Sequence, residues 1–260
     1  MPVALVTGGG RGIGRAIALR LAAERWDVAI AARSADQLAE TARLAGGRTL
    51  AIPADIADPA AVNGIVRQTE TQLGPIDLLV NNAGVAGPLE PFSETDPAVW
   101  WRCQEVNLRG PMLCCRAVLP GMIERRSGRI VNMASGLGCH AEADMSAYVV
   151  SKTALIRFTE QLAAELDGSG VTIFAIRPGL LLTAMVEDVR QRIPRIQKLV
   201  DEGREVPVEA VADLVLKLAS GRADALSGRL ISPVDDFEAM IRQAEAAREQ
   251  ELYLLRLRRP

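Results

Sequence analysis

The chain has a single histidine, His140, and four cysteines, Cys103, Cys114, Cys115 and Cys139, in none of the paired spacings that hold a zinc ion. Cys139 adjoins His140 without a second group of ligands elsewhere, so no metal centre is expected. The adjacent pair Cys114-Cys115 sits in an apolar helical stretch, and the set reads as buried free thiols of a reducing compartment. Charge of one sign is lacking too. Thirty basic against thirty-two acidic side chains leave a net −2, and a pI near 5.7 excludes the basic footprint of a nucleic-acid or membrane-surface binder. No apolar run approaches the roughly 20 residues of a membrane-spanning helix, and the first strand-like run begins at Val3, leaving no room for a signal peptide. Aromatics are scarce, with four Phe, three Trp and two Tyr, although the composition is otherwise that of a globular protein. These absences leave a cytoplasmic protein with small-molecule chemistry. Residues 1–260 are expected to form one domain, burying roughly three quarters of the unfolded surface.

What is present begins at the N-terminus. A β-type run from Val3 to Val6 meets a glycine cluster, Thr7-Gly8-Gly9-Gly10-Arg11-Gly12-Ile13-Gly14, followed by the helical pattern Ala16, Ile17, Leu19, Leu21 and Ala22. That order is strand, turn, helix. Glycines let the backbone take positive φ and approach a bulky anion, while the free N–H groups opening the helix point at a pyrophosphate. The spacing is T-G-x-x-x-G-x-G rather than the G-x-G-x-x-G dinucleotide fingerprint. Further strand-like runs at Val28–Ala32, Thr49–Ile52, Leu78–Val80, Arg129–Met133, Val171–Ile176 and Arg229–Ile231 alternate with helical periodicity. Alternation predicts a parallel sheet covered on both faces, with the site beyond the carboxyl ends of its strands.

Tyr148 and Lys152 stand one helical turn apart, so both side chains leave the same helix face, and Ser135 lies upstream at the end of an apolar run. A phenol of pKa ~10 is a poor proton donor or acceptor at neutral pH; a neighbouring ammonium favours phenolate and moves that value toward the working range. Alone, the pair reads first as a surface phenol beside a solvated lysine. Its company decides: Asp55 follows the third strand, Asn81-Asn82-Ala83-Gly84 the fourth, Asn107 the helix after that, and Pro178-Gly179 with Thr183 the sixth. With these motifs in this order, Val3 to about Ser232 resembles the short-chain dehydrogenase/reductase family, of the ketoacyl-reductase-like type.

The resemblance implies an α/β, three-layer Rossmann fold: a doubly wound seven-stranded parallel sheet, order 3-2-1-4-5-6-7, with helices on both faces. It implies an oxidoreductase moving hydride between a nicotinamide cofactor and a carbonyl or secondary alcohol. Tyr148 would be the general acid/base and Ser135 would hold the carbonyl oxygen. Lys152 would bind the ribose hydroxyls and bias the tyrosine toward ionisation, and Asn107 would anchor the water linking Lys152 to solvent. Gly8, Arg11, Gly12, Ile13 and Gly14 would cradle the cofactor, Asp55 and Ile56 meet the adenine side, Asn82, Ala83 and Gly84 run close to it, and Pro178, Gly179 and Thr183 serve the nicotinamide. Asn81 would tie neighbouring strands. Blander roles stand beside these: a cap for Ser135, an in-helix polar satisfier for Asn107, a loop carboxylate for Asp55.

Cofactor choice is a charge argument. The end of the second strand carries Ala32 and Arg33 where an acidic residue would bond the NAD ribose and repel NADP. Arg33, with Arg11 and Ser34, suits the 2′-phosphate of NADP(H); Asp36, if it reached the ribose instead of capping the next helix, would favour NAD(H). The alternatives are an NAD(H)-dependent alcohol dehydrogenase of the same family and a non-catalytic cofactor-binding regulator. A homodimer or homotetramer through the helices near Asn107 and Tyr148 is the family habit.

Two segments stay open. Residues 180–206, with Met185, Val186, Val189, Ile193, Ile196 and Leu199 at helical spacing, suit a substrate-covering loop or a structural helical pair. Residues 236–260 form a helical C-terminal extension whose stripe of Phe237, Met240, Ile241 and Ala244, continued by Leu252, Leu254, Leu255 and Leu257, must be buried on its own domain, a partner or the substrate.

Overall fold

The computed structural model describes residues 1–256, so Leu257, Arg259 and Pro260 lie outside the described residues. Seven strands are found among them: β1 (Val3–Thr7), β2 (Asp27–Ala32), β3 (Thr49–Pro53), β4 (Ile76–Asn81), β5 (Gly128–Met133), β6 (Val171–Ile176) and β7 (Leu230–Ile231). They pair in parallel in the order β3-β2-β1-β4-β5-β6-β7. The expected strands are all present. Most run a residue or two longer, because backbone pairing continues past the last apolar side chain, while β7 starts one residue late because the Arg229 N–H closes a turn onto Leu226 O.

The strands are apolar on both faces, as a sheet buried between helices requires. Ala4, Val6, Val28, Ile30, Val131, Phe174 and Ile176 point to one side, into a core shared with α1 (Gly12–Ala23), α2 (Ala35–Ala45) and α9 (Val208–Ala219). Val3, Leu5, Ala29, Ile130, Val171 and Ile173 point to the other, against α3 (Pro59–Gln72), α5 (Gly110–Glu124) and α6 (Ser146–Glu165). Residue spacing of two therefore decides which helix layer each side chain meets.

Helix starts follow local chemistry. Asp58 accepts from Ala60 N before Pro59 opens α3, and Asp96 accepts from Ala98 N before Pro97 opens α4 (Pro97–Gln104). Ser34 caps α2 by accepting from Gln37 N, so Asp36, considered for that role, stands inside the first turn instead. A single widened turn, Glu105–Arg109, joins α4 to α5. Pro111, four residues beyond Asn107, has no N–H to return to the Asn107 carbonyl, which breaks the ordinary helical ladder there.

The segment after β6 folds as α7 (Ala184–Arg190) and α8 (Pro194–Asp201), and its two ends meet where Leu180 bridges Glu205 and Val206 N donates to Leu180 O at 2.7 Å. The C-terminal extension is helical in its first part only, as far as the described residues run. It makes two short helices, α10 (Phe237–Arg242) and α11 (Ala244–Glu249). Glu251 takes φ 52° where a glycine would ordinarily close a helix, and Leu252 N returns to Ala247 O at 2.9 Å, reversing the chain. Phe237, Met240, Ala244 and Ala247 are buried in the α1/α9 core, which resolves the three-way question in favour of packing on the chain's own sheet. Beyond the reversal, Tyr253 O accepts from Leu230 N at 3.0 Å, and Leu255 packs on Ala134, Ile156 and Ala175.

Candidate active site

The carboxyl ends of the strands open into a cavity of about 1030 Å³. Its floor is the glycine turn. Gly8 lies at φ +67°, where a Cβ would come 2.8 Å from Ala83 Cα, and a Cβ on Gly14 would come 2.2 Å from Gly8 O. The backbone is thus folded onto itself, leaving the N–H groups that open α1 facing the cavity. Thr7, fully buried, locks this turn to the end of β4: its hydroxyl accepts from Asn82 N at 3.0 Å and Ala83 N at 3.2 Å, and Asn82 Nδ2 returns a bond to Thr7 O at 2.9 Å. Behind it, Asn81 donates to Asn132 across β4 and β5 at 2.9 Å, the strand tie expected of it.

At one end of the cavity stand Arg11 and Arg33, neither with a carboxylate partner among the described residues, together with Ser34 and Gln37. Asp55 also lines this end. Its Oδ1 accepts from Ala57 N at 3.0 Å and its Oδ2 from Arg102 at 2.5 Å. Burial raises the proton affinity of this carboxyl, but the Ala57 N–H, the Arg102 guanidinium and the charge of Arg33 outweigh it, and its pKa falls below the usual carboxylate value. The blander loop-carboxylate role and a place in the cavity are therefore both realised.

At the other end α6 presents Tyr148 and Lys152. The turn Gly136–Cys139 lies against that helix, where a Cβ on Gly138 would come 2.9 Å from the Lys152 carbonyl carbon, and Thr153 bonds Gly138 O at 2.9 Å. This close approach sets the Ser135 hydroxyl near enough to Tyr148 to act on its proton affinity. Ser135 also caps the turn by accepting from Leu137 N at 3.2 Å, so the bland role and the site role coexist. Lys152, 4 % exposed, donates from Nζ to Met133 O at 2.7 Å and lies 5.7 Å from the Tyr148 ring centroid.

The electrostatics differ from the expectation that Lys152 lowers the phenol. Burial pushes the Tyr148 pKa up, opposed by the Ser135 hydroxyl, because the apolar face of α7 and α8 (Val189, Ile193, Ile196) with Met145 and Leu137 packs around it. The same burial lowers Lys152 to about 8. The Asn107 side chain takes the polar-satisfier role: Oδ1 accepts from Val85 N at 2.9 Å, and Nδ2 donates to Val85 O at 2.9 Å and Ser151 Oγ at 3.0 Å. Its side chain is thus committed to protein groups.

Gly8, Arg11, Gly12, Ile13, Arg33, Ser34, Asp55, Ile56, Asn82, Ala83, Gly84, Tyr148, Lys152, Pro178 and Thr183 all line the one cavity, with the Thr183 hydroxyl also capping α7. Gly14, Asn107, Ser135 and Gly179 stand behind it, Gly179 in a φ +86° turn against Val206. Gln37, Val85, Met133, Leu182 and Glu205 were not anticipated. Only Gln37 carried a signal, one helical turn beyond the Ser34 cap. Among the described residues no helix is long and apolar enough to cross a membrane, and no group of three or more His, Cys, Asp or Glu gathers.

Comparison with known proteins agrees with this geometry. The sequence model described as short chain dehydrogenase matches residues 2–194. A short chain dehydrogenase of Pseudocercospora fijiensis is 37 % identical, over 93 % of this chain and 83 % of its own. The cis-4-hydroxycyclohexanecarboxylate dehydrogenase of Sinomonas cyclohexanicum is 35 % identical, over 88 % of this chain and 94 % of its own. A variant of actinorhodin polyketide ketoreductase, crystallised with NADPH, superposes with a TM-score of 0.83 at 33 % identity, covering 89 % of this chain and 95 % of that one. A cavity closed by a glycine turn at one end and by a tyrosine and a buried lysine, with a serine beside them, at the other, on this sheet order and with these relatives, makes the chain a member of the short-chain dehydrogenase family, oxidoreductases that act on CH–OH or C=O groups with NAD(P).

Proposed function

We propose that the protein transfers hydride between NADP(H) and a carbonyl or secondary alcohol, with Tyr148 as general acid/base, in one domain that carries both the cofactor and the substrate site. The observation that carries this reading is buried Lys152 with half-buried Tyr148 in the cavity and half-buried Ser135 just behind it, while the far end holds two arginines without a carboxylate partner among the described residues. A bound nicotinamide supplies or accepts the hydride. Everything else falls to side chains. Tyr148, kept neutral by burial, is set to donate its proton to a carbonyl oxygen gaining charge, and in the reverse direction takes the alcohol proton. Ser135 donates to that same oxygen, a bond that strengthens as charge accumulates. Lys152 holds a cation beside the phenol and would bind ribose hydroxyls.

The cofactor preference rests on Arg33 and Arg11, which face the cavity with no acid at the end of β2 to repel a 2′-phosphate; the NADPH-bound neighbour is in keeping with it. The experiment is steady-state turnover of NADPH and NADH over β-ketoesters, cyclic ketones and aldehydes, with Tyr148→Phe beside wild type. The variant should lose about 10²- to 10⁴-fold in kcat with cofactor affinity nearly unchanged. A fully active variant would sink the mechanism, and saturable cofactor binding without turnover on any carbonyl or alcohol would favour a regulatory role.

A further inference from the structure

Arg102 belongs to none of the motifs and does not line the cavity, yet it reaches the residue that does. It stands near the end of α4, 47 residues from Asp55 in sequence, and donates from Nη2 to Asp55 Oδ2 at 2.5 Å and from Nη1 to Glu105 Oε2 at 3.0 Å. With Ala57 N on Oδ1, the carboxylate is held on both oxygens. Each carboxylate oxygen accepts two bonds, so one acceptor site on each remains, on a residue that lines the cavity. Arg33 is the other cation acting on Asp55, and Arg33 is the side chain that the functional reading assigns to the 2′-phosphate. Without Arg102, Arg33 would be the remaining cation acting on Asp55.

We propose that Arg102 is a positioning residue for the cofactor: it fixes and balances the Asp55 carboxylate so that Asp55 accepts from the adenine amino group while Arg33 stays free for the phosphate. The inference rests on the reading that Asp55 meets adenine. The Arg102 and Asp55 side chains are 40 % and 36 % exposed, and exposed ion pairs contribute little to folding, so the role lies in binding rather than in holding the fold.

The test measures dissociation constants by quenching of protein fluorescence for NADPH, for its hypoxanthine analogue, in which a carbonyl oxygen replaces the adenine amino group, and for NADH, in wild type, Arg102→Leu and Arg102→Lys. Wild type should bind NADPH at least about tenfold tighter than the analogue, the effect of one charge-assisted hydrogen bond. Arg102→Leu should shrink that discrimination to within about threefold and lower the NADPH-to-NADH ratio, with Arg102→Lys keeping part of both. A purely structural role would weaken all three ligands alike. Arg102→Leu with wild-type discrimination overturns the proposal. Wild type that fails to discriminate amino from carbonyl overturns the Asp55 reading beneath it, a distinct result, and turnover assays address the hydride chemistry separately.

Discussion

Replacing Lys152 by methionine should make the protein more stable while removing its activity. The ammonium is buried, and burial lowers its pKa from 10.5 to about 8. Below about pH 8 the folded and unfolded chains both carry the proton, and the folded one bears the full desolvation cost. Between about 8 and 10.5 the folded chain releases its proton first, so stability rises with pH; above 10.5 the cost is gone. The interval of about 2.5 pH units, at about 1.4 kcal/mol each, amounts to about 3 kcal/mol. Methionine keeps the buried stem but leaves Met133 O without its 2.7 Å donor, a loss of about 1 kcal/mol. The net gain of about 2 kcal/mol corresponds to a Tm higher by about 4–8 °C at pH 7. Thermal unfolding followed by circular dichroism at pH 7 and pH 10 measures it: Lys152→Met should lead wild type at pH 7 and lose that lead at pH 10. A lead that is absent, or that does not change with pH, refutes the claim that a buried charge is held here against its solvation.

Other substitutions probe the rest of the site. Arg33→Ala should lower the NADPH-to-NADH ratio of kcat/KM by about 10- to 100-fold, the loss of one charge-assisted contact; an unchanged ratio would move phosphate recognition elsewhere. Gly14→Ala drives a methyl to 2.2 Å from Gly8 O, a backbone atom that cannot step aside; urea unfolding should register a loss of about 1–3 kcal/mol, and calorimetric titration should show loss of cofactor binding. Cys139 is exposed while Cys103, Cys114 and Cys115 are buried, with Cys114 pushed up to about 12 by burial. A thiol-reactive dye should therefore label one cysteine in the native protein and four after denaturation; rapid labelling of a second would contradict the packing of α4 or α5.

The sheet was legible because both faces of each strand are apolar and the runs between them carry helical spacing. Tyr148, Lys152 and the glycine turn were legible because their chemistry depends on short, fixed separations. What escaped depends on contacts distant in sequence. Arg102 meets Asp55, and Thr7 meets Asn82 and Ala83, only once the sheet has formed. The direction of the Tyr148 pKa was missed because it follows from burial under α7 and α8, and no separation of four residues reveals how much water a lysine shares with its neighbour. The break in the helical tail was not legible, because its periodicity continues and Glu251 occupies a left-handed position that usually announces itself as glycine.

That tail has a bearing on how the protein survives in a crowded solution. A sheet has two open ends, and β7, two residues long, is one of them. Its outward N–H, on Leu230, is already taken by Tyr253 O, and Leu255 sits beside it on Ala134, Ile156 and Ala175. The reversed segment acts as a stopper: a stray strand from another molecule finds neither a donor nor an uncovered apolar row at that end. A chain ending at Gln250 would keep its cofactor cavity intact but expose a sticky border, and its first failure would be loss of solubility rather than loss of turnover.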